Sequence, residues 1–301
     1  MPDNKLTSHL TQNTSLISAI SSWEIFLADQ GRSPNTIKAF LSDVRLLTTF
    51  LSGDITLGKV TTKDLNRYFE WMEKEREVPC SPKTLARRIT ATKSLFRWLH
   101  QYGVLMVDPA EKVAQRSAIS PIPTVLTPKE YDEVLLAADR HRRGTKPDAR
   151  SYTLVYLLLT TGIKKSETLG INLEHLELDP KGPNGPQVFI KYATPANRYK
   201  ERKLVLPEDW IPAYEEYLAQ YHPEEKLFPW SQRRLEYLLE DIGNEAGLTK
   251  HLSFDMCRWT CALTDFHAGV EPDQIRQKLG VSKIQWRELF IKLKQLAGSK
   301  E

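Results

Sequence analysis

The chain has 301 residues, with 42 Lys+Arg against 38 Asp+Glu for a formal charge of +4, and 41% of it is hydrophobic, a composition that excludes a wholly disordered chain. At about 100–200 residues per domain, the length predicts two domains. The longest apolar stretches, such as Leu154 to Leu159, fall far short of the roughly 18 residues that span a bilayer, and three cysteines (Cys80, Cys257, Cys261) suit a reducing cytosol better than a disulfide framework.

In chain order, a polar stretch with no apolar secretion segment comes first, so a cytoplasmic protein is expected. A helix is predicted around Leu16 to Ala28, stopping at Gly31. Ser33-Pro34 supplies a cap followed by proline at the first helical position, and Ile37, Phe40, Leu41, Val44, Leu47 and Leu51 follow at helical spacing. Thr61-Thr62 opens a third helix carrying Leu65, Tyr68, Phe69 and Met72. Ser81-Pro82 repeats the cap-then-proline signal and opens a fourth, ending near Gly103. Four short amphipathic helices predict a small bundle over residues 1–112.

The fourth helix has an unusual charge pattern. No acidic residue lies between Val78 and Val107, yet Lys83, Arg87, Arg88, Lys93 and Arg97 all do. Lys83/Arg87 and Lys93/Arg97 are spaced i,i+4, while Leu85, Ile89, Phe96 and Leu99 form an apolar stripe. A helix without acids cannot neutralise itself and calls for an external anion such as nucleic acid. A solvated surface helix fits the same composition.

Residues 113–126, with Ser117, Ser120, Pro121 and Pro123, show no period and read as a linker. Thr127-Pro128-Lys129-Glu130 then forms a capping box that opens a second domain over residues 127–301. That domain reads as mostly helical except for a hairpin: Val188 to Lys191, a turn containing Pro195, Ala196 and Asn197, then Arg202 to Leu206. Signatures of other chemistries are missing. The 14 glycines are scattered with no phosphate-cradling loop, the seven histidines lack metal-ligand spacing, and there is no Gly-x-Ser-x-Gly elbow. Cys257 and Cys261 sit one turn apart and read as core thiols. No metal or cofactor is expected.

One ordered set of motifs stands apart. Thr161-Gly162-Ile163-Lys164-Lys165-Ser166-Glu167 follows an apolar helix; some ninety residues later come Leu252-Ser253-Phe254-Asp255-Met256-Cys257-Arg258 and Leu279-Gly280-Val281. In this order and spacing the chain resembles the tyrosine recombinase/phage integrase family, especially its Xer-like members. Ser33-Pro34-Asn35-Thr36-Ile37 and Leu95 to Leu99 are similar to that family's core-binding domain, and Lys200-Glu201-Arg202 and Leu227-Phe228-Pro229 to its catalytic domain. The resemblance implies a mainly α fold: a four-helix, SAM-like core-binding domain followed by a mostly helical catalytic-type domain with a small β-hairpin or sheet. It further implies a clamp on double-stranded DNA and metal-free attack by a tyrosine on the scissile phosphate. Two arginine forks hold that phosphate, while lysine and histidine manage protons.

The family's catalytic positions are substituted here. Lys164 stands at the first arginine, keeping the charge and losing the fork. Arg258 is retained. Asp255 replaces the helical histidine and reads as an acid at a helix N-terminus. Val281 replaces a hydrogen-bond donor. Phe290 falls at the nucleophile, and no tyrosine follows Tyr237. Lys191, Arg198, Lys200 and Arg202 near the hairpin are all candidates for phosphate contact, with the family lysine unassigned among them. The resemblance also adds weight to DNA contact by Lys83, Arg87, Arg88, Lys93 and Arg97. The expectation is a DNA-binding protein that has lost strand cleavage, acting beside an active recombinase or as a homo-oligomer on DNA. The alternatives are an active recombinase represented by a nucleophile variant and an interaction module that kept only the fold.

Overall fold

A computed structural model of the chain describes residues 7, 9–116, 121–179, 182 and 185–298. The chain divides into two compact units, Met1–Pro121 and Ile122–Glu301.

The first unit is built on α1 (Leu16–Asp29), α2 (Pro34–Phe50), α3 (Thr62–Glu70, running on into a wider turn over Trp71–Glu75) and α4 (Pro82–Gln101). The starts of α2, α3 and α4 are fixed as the sequence reading expects, and Ser15 caps α1 in the same way. The hydroxyls of Ser15, Ser33, Thr61 and Ser81 accept from the backbone N–H three residues on, and Pro34 and Pro82 occupy the first helical position. The apolar stripes meet in one core where Trp23, Trp98, Tyr68 and Phe96 are fully buried.

The reading of α4 as a helix unable to neutralise its charge needs correction. The missing acid comes from α2: Asp43, 3% exposed, accepts from Arg87 Nη1 at 2.6 Å and Arg88 Nε at 3.3 Å. Lys93 Nζ donates to the carbonyls of Glu111 and Val113 at 3.1 and 2.6 Å. Lys83 and Arg97 are exposed. The charge pattern along one helix cannot show a partner on another.

The second unit opens with α5 (Pro128–Arg143), capped reciprocally by Thr127 and Glu130. The apolar α6 (Arg150–Thr161) lies at its centre, with Leu154, Val155, Leu157 and Leu158 fully buried. After the short α7 (Lys165–Thr168) come β1 (Leu176–Glu177), β2 (Gln187–Ile190) and β3 (Arg202–Val205). These form a three-stranded antiparallel sheet in the order β1-β2-β3, with Leu176 opposite Val188 and Ile190 opposite Arg202. The predicted hairpin is present, but the sheet has one strand more, because two residues are too few to show an alternation. Helices α8 (Trp210–Tyr221), α9 (Gln232–Glu245), α10 (Phe254–His267), α11 (Pro272–Lys278) and α12 (Lys283–Gly298) complete the unit. Cys257 and Cys261 on α10 are buried free thiols. Among the described residues, no helix is long and apolar enough to cross a membrane.

Candidate nucleic-acid interface

The site grows from the end of α6. Gly162 closes that helix at φ +60°, with Leu279 and Cys261 packed where a side chain would sit, so glycine alone satisfies both the backbone and the space. The chain then turns into α7 with Lys164 at its threshold, and Glu167 reaches back to accept the Lys164 backbone N–H at 2.8 Å.

Arg258, 9% exposed, rises from the first turns of α10. Its Nη1 donates to the Gly162 carbonyl at 2.5 Å and its Nη2 to the Leu279 carbonyl at 2.6 Å. Two chain ends, after α6 and after α11, are thus tied by one guanidinium. Arg202 on β3 turns inward as well. Its Nη1 and Nη2 meet the two Glu167 oxygens at 3.0 Å each, and its Nε donates to the Lys278 carbonyl at 2.6 Å. A Cβ on Gly280 would overlap the Arg202 guanidinium, and Gly280 has φ +58°. The glycine of the Leu279-Gly280 motif is therefore the seat of the Arg202 guanidinium. The Tyr192 hydroxyl donates to Glu167 from the other side.

The electrostatics follow from this packing. Burial pushes the Glu167 carboxyl up, but Arg202, the Lys164 N–H and Tyr192 outweigh it and hold the carboxyl below its ordinary range. Burial pulls the Arg258 guanidinium down, with Arg202 adding to it and Glu167 opposing. Lys164 has its Nζ 3.4 Å from the Gly280 carbonyl. Burial, Arg258, Arg202 and Lys200 together bring its ammonium down to about 8, against the pull of Glu167. Immediately around Lys164, one carboxylate, Glu167, already held on both oxygens, faces Arg258, Arg202 and Lys200. The surplus positive charge suits an incoming anion.

Lys164, Arg258 and Asp255 share a cleft of about 850 Å³ between α7, α9 and the start of α10, lined also by Lys165, which is paired to Glu236 at 2.6 Å, and by Arg233, Glu240 and His251. Asp255 is exposed in the first turn of α10, after the Ser253 cap, where a helix N-terminus favours an acid. The structure does not bring Val281 and Phe290 into that cleft lining. Val281 is buried beside Trp259, Leu279 and Leu293. Phe290 stacks on Trp286 at 5.4 Å, meets Phe266 edge-on at 6.1 Å, and carries the Lys294 ammonium 4.6 Å above its ring.

The remaining basic residues separate by environment. Lys191 lies over the Phe189 ring at 5.2 Å. Lys200 donates to Asn197 at 2.7 Å and sits over Tyr199 at 5.1 Å. Arg198 is exposed. Of the hairpin set, Arg202 is spent on Glu167 and Lys278, and Lys200 on Asn197. Sequence reasoning quoted Glu167 and Gly280 within motifs but gave them no role, and passed over Tyr192. Glu167 had a local signal, since it stands three residues after Lys164 as a capping acid does. Tyr192 had none, because its partner is 25 residues away.

Comparison with known proteins places this architecture. Residues 20–103 match the phage integrase N-terminal SAM-like domain, and residues 124–293 match the phage integrase family. A tyrosine recombinase XerC of Roseiflexus castenholzii is 30% identical over 280 residues, covering 89% of this chain and 86% of its own. A tyrosine recombinase XerD of Listeria innocua is 22% identical over 284 residues, covering 90% and 92%. Among solved structures, a lambda integrase dimer bound to a COC′ core site superposes with a TM-score of 0.73 at 13% identity, covering 99% of this chain and 81% of its own. The XerH recombinase bound to palindromic difH substrate gives 0.68 at 18% identity, covering 93% and 81%.

Proposed function

We propose that this chain, which belongs to the phage integrase family of Xer-like tyrosine recombinases in DNA recombination, binds duplex DNA as its relatives do and does not cleave it. The observation that carries this reading is a phosphate seat without a nucleophile. Lys164, Arg202 and Arg258 converge around one satisfied carboxylate, while the family's tyrosine position falls on Phe290, packed against two aromatic rings. A phenyl ring has no oxygen with which to attack phosphorus. Val281, buried among apolar side chains, donates nothing from its side chain, and Asp255 brings negative charge to the cleft. What remains is a site able to attract and orient a phosphate.

In this role the chain occupies a recombination site as an accessory or regulatory partner of an active recombinase, or as its own homo-oligomer. Nothing in the chemistry calls for a cofactor or metal. The experiment is a duplex nicked beside the cleavage point, offered to the protein and resolved on a denaturing gel. Binding without a covalent adduct is expected. A shifted protein–DNA band from the unmodified chain overturns the reading.

A further inference from the structure

We propose that Arg87 reads a guanine in the major groove of the bound duplex, with Asp43 as the positioning residue that holds its guanidinium in the reading pose. The inference rests on the DNA-binding reading above and adds a determinant of sequence preference.

Asp43 is nearly sealed inside the first unit at 3% exposure, although a carboxylate loses much of its hydration there. Its two oxygens serve two different arginines. Arg88 is turned inward. Its side chain is 13% exposed, Nε reaches Asp43, and Nη1 lies 3.1 Å from Met72 Sδ and 3.6 Å from Cys80 Sγ. Arg87 is held by one corner only, Nη1 on Asp43 Oδ2 at 2.6 Å, and its side chain is 39% exposed. Among the described residues its Nε and Nη2 have no partner. They present two parallel donors at the surface of α4, beside exposed Lys83 one turn earlier.

Asp43 weakens Arg87 as a source of bare positive charge, since one carboxylate stands against two guanidiniums. An arginine needed only for phosphate attraction gains nothing from that. What the buried carboxylate provides is a single pose, which reduces the rotamer freedom lost on binding. A fixed pair of parallel donors matches the N7 and O6 acceptors of guanine in the major groove.

The test is selection of sequences bound by the full chain from a random duplex library, followed by binding to the selected site with each base varied. The unmodified protein should require guanine at one position that Arg87→Ala and Arg87→Lys both release, with affinity for the selected site down about 10- to 100-fold, the worth of one bidentate contact. Asp43→Asn preserves shape and removes charge. It should blunt the same preference while tightening binding to unrelated duplex, a change that mere loss of stability does not produce. If Asp43→Asn fails to fold, Arg87→Lys still decides the matter. A uniform loss across all bases in Arg87→Ala, with a salt slope smaller by about one, makes Arg87 a phosphate contact and overturns the inference. Binding to no duplex at all removes the DNA-binding reading itself, and this inference with it.

Discussion

At the scale of single residues, Lys164 carries the clearest pH dependence. Its ammonium titrates at about 8 in the folded chain, against an ordinary value near 10.5. Between those values the unfolded chain binds the extra proton, so the burial penalty on Lys164 is present below about 8 and lifts as pH approaches 10.5. Anion binding runs the other way. Affinity of the cleft for a phosphate diester should fall as pH rises through 8, and Lys164→Arg, charged throughout, should flatten that profile in titrations from pH 7 to 9.5. Arg258 poses a different problem. Both its Nη atoms already hold backbone carbonyls, so its substitution tests fold and binding together. Arg258→Lys should weaken duplex binding by roughly 1–2 kcal/mol if the fork matters, and Arg258→Ala should also lower the melting temperature of the second unit. An unchanged dissociation constant in both variants would leave Arg258 a purely structural tie. Phe290→Tyr restores a hydroxyl but not the rest of the site. With Lys164, Val281 and Asp255 unaltered, and each lost donor worth about 10²–10³ in rate, it should form no adduct on the nicked duplex. An adduct would show that the site was disabled at its nucleophile alone.

At the scale of elements, function depends on how segments far apart in sequence meet. Strand β3 brings Arg202 to Glu167 of α7, and the turn after α11 makes room for it at Gly280. Gly280→Ala must therefore displace the Arg202 guanidinium and hold a left-handed backbone with a side chain. It should cost about 1–2 kcal/mol or more, read as a lower denaturation midpoint, and should weaken phosphate binding by unseating the cation. An unchanged midpoint would mean the guanidinium moves aside freely. The helix boundaries were legible in the sequence because a capping hydroxyl and a following proline act within one turn. Strand β1 was not, since two residues acquire strand character only from pairing with β2. The charge on α4 was half legible: five basic residues were visible, and the acid that sorts Arg87 from Arg88 sits 44 and 45 residues away.

At the scale of the whole molecule, each unit has a hydrophobic core of its own, one cluster in the first and two in the second among the described residues. Each unit should therefore fold when expressed alone, as residues 1–121 and 122–301, with cooperative thermal transitions matching those of the intact protein. The intact chain should bind a duplex more tightly than either piece, because joining two weak binders raises the effective concentration of the second. Equal affinity of the intact chain and one piece would assign the whole grip to that unit. What the sequence determined by itself was the helices of the first unit, the mainly α fold and the family, because caps, apolar periods and collinear motifs are local or ordered along the chain. What only the tertiary structure decided was which cations are free. Arg202, Arg88 and Lys93 are occupied within the protein, Arg87 is tied to Asp43 through Nη1 with its side chain 39% exposed, and Lys83 is exposed. Charge is neutralised through space, and a buried carboxylate such as Asp43 or Glu167 acts on whatever cation the fold sets within hydrogen-bonding reach of it.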